Sequence, residues 1–128
     1  MEPKKKILIA DDEIDFLEVM KLRLMANNYQ VITASTGEEA LQKFFKENPS
    51  ALILDIMMPG MDGLSVLEKI RKVNKLIPVF ITTAFSNEAR FKTANKLNAT
   101  GFILKTDNLK EQVANITEAI KLAEKYKE

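Results

Sequence analysis

The 128-residue chain has no cysteine, no histidine and no tryptophan. Without cysteine there are no disulfides, zinc thiolate sites or cysteine nucleophiles. Without histidine there is no Ser-His-Asp machinery, no imidazole ligand, and neither a histidine general base nor a phosphohistidine within this chain. Apolar runs are only a few residues long, which excludes a membrane span and a secretory h-region and predicts a cytoplasmic protein. Charge of neither sign dominates. Nineteen basic against eighteen acidic residues leave +1, too balanced to argue for direct nucleic-acid binding. With 46% apolar and 29% charged residues the chain is globular in composition, one domain long, and large enough to bury roughly two-thirds of its unfolded surface. Its chemistry must therefore rest on carboxylates, hydroxyls, lysines and backbone groups.

Short β-rich runs alternate with helical patterns throughout. Ile7–Ala10 reads as a buried strand, followed over 14–27 by a helix with Leu17, Met20 and Leu24 on one face. Val31–Ala34 is the second strand. Thr36 with Glu39 three residues on forms a capping box for a helix through Ala40, Leu41, Phe44 and Phe45, stopped by Asn48-Pro49. Ala51–Leu54 is the third strand, followed by a turn-rich loop containing Pro59, Gly60 and Gly63 and a helix over 64–72. Pro78 opens a fourth strand, Val79–Thr82, at a first position where its missing N–H is tolerated. Ser86 is read as the cap of a helix to Leu97, and Gly101–Leu104 as a fifth strand. The last helix is expected to start near Asp107, with Leu109, Val113, Ile116, Ile120 and Ala123 at 4-3-4-3 spacing. Helix four is poorly amphipathic, carrying Lys92, Thr93 and Lys96, as expected of a loosely held element or a binding face.

Five βα units with continuous apolar strands predict an α/β fold, a single doubly wound (βα)5 domain. Its parallel five-stranded sheet is expected in the flavodoxin-like order 2-1-3-4-5. Ligands of such sheets sit at the carboxyl ends of the strands, at the switch between strands one and three. Those ends read Asp11-Asp12, Asp55, Thr82-Thr83 and Lys105. Like charges so close raise each other's pKa unless a cation joins them. With oxygen donors and no histidine or cysteine, the cation that fits is hard, Mg²⁺ or Mn²⁺. A carboxylate can then act as nucleophile toward phosphorus, with Lys105 and the Thr83 hydroxyl stabilising the charge that develops. Simpler roles compete. Asp11-Asp12 could cap the first helix, Thr83 could be an ordinary strand residue, Lys105 could decorate the surface, and Phe102 could be plain core.

The runs Ile-Ala-Asp-Asp-Glu at 9–13, Leu-Asp-Ile-Met-Met-Pro-Gly-Met-Asp-Gly-Leu at 54–64, Thr83-Ala84 and Phe102-Ile-Leu-Lys105 resemble those of a response-regulator receiver domain, the CheY-like domain of two-component signalling. The resemblance covers the chain from Lys5 to Tyr126 and implies a receiver domain over 1–128 with no output domain in this chain. It implies that Asp55 accepts a phosphoryl group from a phosphohistidine of a sensor histidine kinase or phosphotransfer protein. Asp12, Asp55 and the backbone carbonyl of Met57 would bind Mg²⁺ directly, and Asp11 through water. Thr83, the Ala84 N–H and Lys105 would hold the phosphoryl oxygens. Thr83 and Phe102 would carry the switch to the surface of helix four, strand five and helix five, where a downstream protein effector would dock. Such a domain is a signalling phosphoacceptor that assists its own phosphorylation and dephosphorylation, rather than an enzyme.

One position departs from the family pattern. Thr106 stands where a proline usually follows the strand-five lysine, commonly after a cis peptide. Since a cis bond before a non-proline residue costs about 2.5–4 kcal/mol, a trans Lys105–Thr106 bond or marked strain is expected. Met57 and Phe85, two positions beyond Asp55 and Thr83, lie where the family tunes loss of phosphate. Both are bulky and apolar, so slow decay of the aspartyl phosphate is expected. Other classes fit less well. An aspartate-nucleophile phosphatase would normally carry a second Asp where Met57 stands. A flavodoxin-like FMN protein needs a hydroxyl- and glycine-rich loop where Asp11-Asp12-Glu13 stands. A phosphorylation-independent interaction module keeps the pocket without using it.

Overall fold

The central strands of the sheet have no polar face to show to water, and helices cover the sheet on both sides. The structure, a computed structural model, describes residues 4–84, 88–105 and 108–125. Its elements run β1 (Lys6–Ala10), α1 (Ile14–Ala26), β2 (Gln30–Ala34), α2 (Gly37–Glu47), β3 (Ala51–Asp55), α3 (Gly63–Val73), β4 (Val79–Thr83), α4 (Glu88–Lys96), β5 (Gly101–Leu104) and α5 (Leu109–Lys125). All neighbouring strands are parallel, in the order β2-β1-β3-β4-β5. The expected α/β doubly wound, flavodoxin-like (βα)5 fold is the observed one. Every residue of β3 and β4 is buried, as parallel strands under helices on two faces must be.

The two faces sort the side chains by parity. Ile7, Ile9, Ala51, Ile53, Phe80 and Ile103 pack against α1 and α5, where Phe16, Leu17, Met20, Leu24, Val113, Ile116 and Ile120 meet them. Leu8, Ala10, Leu52, Leu54, Val79 and Ile81 point the other way, to Ala40 and Phe44 of α2, Val66, Leu67 and Ile70 of α3, and Ala94 of α4. Ala94 is the one fully buried residue of α4 among those described. The weak amphipathicity read in helix four corresponds to a lightly anchored helix. Its other notable contact is Phe91, edge-on to Phe102 of β5 with ring centroids 4.4 Å apart.

Helix ends follow local chemistry, with some differences from expectation. Thr36 Oγ1 accepts from the Glu39 N–H at 3.1 Å, and Glu39 reaches back to the Ser35 N–H at 2.6 Å, one residue beyond the usual reciprocal partner. Asn48 ends α2 in the left-handed region, φ 50°. Helix α3 begins at Gly63, capped by Asp62, whose carboxylate accepts from the Ser65 N–H at 2.8 Å. Helix α5 begins at Leu109, with Asn108 Oδ1 accepting from the N–H groups of Lys110 and Glu111. The cap expected at Ser86 and the start expected at Asp107 lie outside the described residues. Arg71 ties α3 to the β4 approach and to the end of α4: it donates to the carbonyls of Asn74, Ile77 and Asn98, the last just beyond α4.

Candidate functional site

The site forms where the sheet's strict alternation runs past its hydrophobic columns. On β1 the residue after Ile7 and Ile9 in the same parity is Asp11. On β3 the one after Ile53 is Asp55, on β4 the one after Phe80 is Thr82, and on β5 the one after Ile103 is Lys105. Polar groups thus continue an apolar face at the carboxyl ends of adjacent strands. Register places Asp55 opposite Thr82 and Thr82 opposite Ile103. Crossovers bring together groups 94 residues apart in sequence, Asp11 and Lys105.

Lys105 is the hub. Its Nζ lies 3.2 Å from Asp55 Oδ2, 2.9 Å from Asp11 Oδ2 and 2.6 Å from Glu13 Oε1, and 5.0 Å above the Phe16 ring. Burial alone would lower its pKa, but hydrogen bonds to Glu13 and Asp11 and the carboxylate charges outweigh that and raise it. Lys105 therefore stays charged. Asp55 is 3% exposed, and its Oδ1 accepts from the Met57 N–H at 3.2 Å. Desolvation, then the charge of Asp11, pushes its pKa from 3.8 up to about 7, against the opposing pull of Lys105 and the Met57 N–H.

The three aspartates converge as expected: each of Asp11, Asp12 and Asp55 offers a carboxylate oxygen within 4.8 Å of the others. Their surroundings differ. Asp11 is fully buried, whereas Asp12 is exposed. Asp11 Oδ1 accepts from the Glu13 N–H at 2.8 Å and from Lys105 at 3.2 Å. Its Oδ2, although close to Lys105 Nζ, lies off the hydrogen-bonding direction and has no donor among the described residues. A buried carboxylate oxygen left in that state suits a hard cation, and the donor set is all oxygen. The residues present therefore fit Mg²⁺ or Mn²⁺. The simpler role of Asp11-Asp12 as caps for α1 is not seen: the N-cap is Glu13, without a side-chain hydrogen bond.

The other expected positions fall around this cluster. Thr83 is the last residue of β4, 2% exposed, and Ala84 follows it at the surface. Phe102 is half-buried, against Phe91 and the α2–α4 face of the core. The Met57 side chain is 58% exposed at the mouth of the site. Phe85 and Thr106, and with it the expected trans bond, lie outside the described residues. Gly63 closes the wall: a methyl group there would overlap the Asp55 carbonyl oxygen, and its N–H donates to the Ile56 carbonyl at 3.2 Å. Gly60 makes the preceding turn at φ 75°. Sequence reading assigned no role to Glu13, Phe16 or Asp62. Glu13 stood in the acidic run, but nothing in its local spacing shows that it reaches Lys105.

Comparison with known proteins agrees with this geometry. The response regulator receiver domain family matches residues 7–120. A Guillardia theta protein named "Probable transcriptional regulator ycf27" is 39% identical over 125 residues, covering 98% of this chain and 49% of the relative. The alkaline phosphatase synthesis transcriptional regulatory protein PhoP of Bacillus subtilis is 33% identical over 120 residues, covering 94% of this chain and 50% of its own. This chain thus spans about half the length of the curated relatives it matches. The crystal structure of a CheY-like response regulator receiver domain protein from Methanospirillum hungatei superposes with a TM-score of 0.90 at 29% identity, covering 95% of this chain and 98% of that one. With its sheet order, its acidic cluster and its strand-five lysine, the chain belongs to the response regulator receiver domain family.

Proposed function

We propose that this domain takes a phosphoryl group from the phosphohistidine of a sensor histidine kinase or phosphotransfer protein onto Asp55. The observation that carries this reading is the setting of Asp55. It is a nearly buried carboxylate held between the Met57 N–H and Lys105, with Asp11 and Asp12 within reach of a shared cation. An Asp55 oxygen attacks phosphorus. The new O–P bond forms as the P–N bond breaks, and its electron pair stays on the partner's imidazole nitrogen. Lys105 and Thr83, with the Ala84 N–H, hold the phosphoryl oxygens and offset the charge spread over them. Asp12, Asp55 and the Met57 carbonyl would hold Mg²⁺ or Mn²⁺, with Asp11 acting through water, and the cation would supply neutralisation of the carboxylates and polarisation of the phosphoryl group.

Once formed, the aspartyl phosphate draws Thr83 toward it. Phe102 turns inward into the space behind Thr83, and the surface of α4, β5 and α5 changes for a downstream protein effector. The light anchoring of α4 supports this part, because few contacts oppose its displacement. Met57 and Phe85 slow the attacking water, so Met57→Asn with Phe85→Glu should speed decay. Residues 1–128 act as one receiver domain and as a signalling phosphoacceptor rather than a turnover enzyme.

The test is incubation with Mg²⁺ and acetyl phosphate, read by intact mass. One phosphoryl group on the wild type and none on Asp55→Asn is the expected result. No addition despite Mg²⁺ binding would overturn the phosphoacceptor reading in favour of a phosphorylation-independent interaction module.

A further inference from the structure

Of the four carboxylates around the site, Glu13 stands apart. Asp11, Asp12 and Asp55 each offer an oxygen to a shared cation, and Glu13 is not one of that trio. Yet Glu13 makes the shortest contact to Lys105. The ammonium donates to Glu13 Oε1 at 2.6 Å, against separations of 2.9 Å to Asp11 Oδ2 and 3.2 Å to Asp55 Oδ2. The pair straddles the mouth of the site, the Lys105 side chain 8% exposed and that of Glu13 59%. The backbone fixes where the Glu13 side chain starts: its N–H donates to Asp11 Oδ1 at 2.8 Å and its carbonyl accepts from the Leu17 N–H at 3.1 Å. Glu13 is the N-cap of α1 without a side-chain cap hydrogen bond, so its carboxylate is left for Lys105. An exposed carboxylate usually contributes little to an ion pair. Here, however, the buried partners of Lys105 are due to change. With a divalent cation held by the aspartates, their charge is offset and a second positive charge stands beside Lys105. Glu13 is the carboxylate on Lys105 that lies outside the cation's donor set.

We propose that Glu13 is a positioning residue for phosphoryl transfer, its carboxylate holding the Lys105 ammonium at the mouth of the site once the aspartates turn to the cation. Lys105 has three N–H donors, so it keeps Glu13 and still donates to the phosphoryl oxygens. The contact stops the ammonium from swinging into water while an Asp55 oxygen bonds phosphorus. The bond from phosphorus to the donor's leaving group breaks in the same step, and its electron pair departs with that group. Reach decides this role as well as charge, because a carboxylate one methylene shorter starts from the same fixed backbone and falls short of Nζ. The inference rests on the phosphoacceptor reading of Asp55.

The experiment compares wild type with Glu13→Gln, Glu13→Asp and Glu13→Ala. Each is followed by intact mass during Mg²⁺-dependent uptake from acetyl phosphate, by calorimetric titration with Mg²⁺, and by thermal melting in chelator. Glu13→Ala should take up phosphoryl groups about fivefold more slowly, the upper range for a pair exposed on one side. Glu13→Gln keeps the reach and an acceptor oxygen, and should stay within about twofold of wild type. Glu13→Asp keeps the charge but not the reach, and should be as slow as Glu13→Ala. Mg²⁺ affinity should not fall in any of them. Uptake by Glu13→Ala at the wild-type rate overturns the proposal. Faster uptake overturns it too, since Glu13 would then act by repelling the anionic donor. So does a Glu13→Asp variant at the wild-type rate, because charge alone would suffice, and so does a loss of Mg²⁺ affinity that matches the loss of rate, because Glu13 would then serve the cation. If the wild type itself takes up nothing, the reading of Asp55 fails and this one with it. That outcome is distinguished from failure of Glu13 alone by the wild-type reaction.

Discussion

At the scale of single residues, Asp55 holds its proton to about pH 7 in the folded chain, against an ordinary carboxyl value of 3.8. The unfolded chain releases that proton near pH 4, so between about pH 4 and 7 the folded state binds more protons. Stability without divalent cation is therefore fullest below pH 4, as far as this group is concerned, and falls as pH rises through 7. The loss is on the order of 2–4 kcal/mol. Asp55→Asn keeps the volume and removes the charge, so it should be more stable than wild type at pH 8, more stable by a smaller margin at pH 5, and nearly equal below pH 4. Urea unfolding in chelator across that range measures the difference. Equal stability at pH 8 would mean that Lys105 already neutralises the cluster. The raised value and its consequence were only partly legible in the sequence. The like charges were visible there, but desolvation is the larger cause and depends on what covers Asp55.

At the scale of elements, the loop from β3 into α3 is the most constrained part of the site. Because a Cβ at Gly63 would collide with the Asp55 carbonyl oxygen, Gly63→Ala must displace either α3 or the end of β3. We expect it to destabilise the fold by about 1–3 kcal/mol or more and to slow phosphoryl uptake at the same time. Chemical denaturation and intact mass report the two effects. Helix α4 is the opposite case, with Ala94 its one fully buried residue among those described. Amide hydrogen exchange should be faster in α4 than in α3, which buries Val66, Leu67 and Ile70. Equal protection of the two helices would argue against an easily displaced α4. Asp62 and Asn108 show why element boundaries were harder to read than element types. Each is a capping residue in a stretch with several alternatives, and the choice among them depends on where the chain enters the helix.

At the scale of the whole molecule, cation binding should couple to folding, because the oxygens of Asp11, Asp12 and Asp55 meet only when β1 and β3 pair. Mg²⁺ should raise the melting temperature in a concentration-dependent way, with a free-energy gain of about 2.7 kcal/mol at a hundredfold excess over its Kd. The effect should be larger at pH 8 than at pH 5, where Asp55 is protonated. Calorimetry at the two pH values tests this, and a melting temperature indifferent to Mg²⁺ would remove the cation from the reading.

The amino-acid sequence by itself determined the order of strands and helices, the parallel doubly wound sheet and the strand-end positions of Asp11, Asp12, Asp55, Thr83 and Lys105. Local periodicity dictates these features, together with apolar runs that end abruptly in polar residues. Tertiary structure alone decided how those residues divide the work. It buried Asp11 and exposed Asp12, adjacent residues of identical chemistry, because Asp11 continues the buried column of Ile7 and Ile9 while Asp12 lies one residue further out, in the bend that leads into α1. It brought Glu13 and the Phe16 ring to Lys105, and it left the Thr82 hydroxyl unpartnered among the described residues, opposite Asp55. Burial, register and the crossing of distant strands set these features, and each depends on chain segments far apart in sequence.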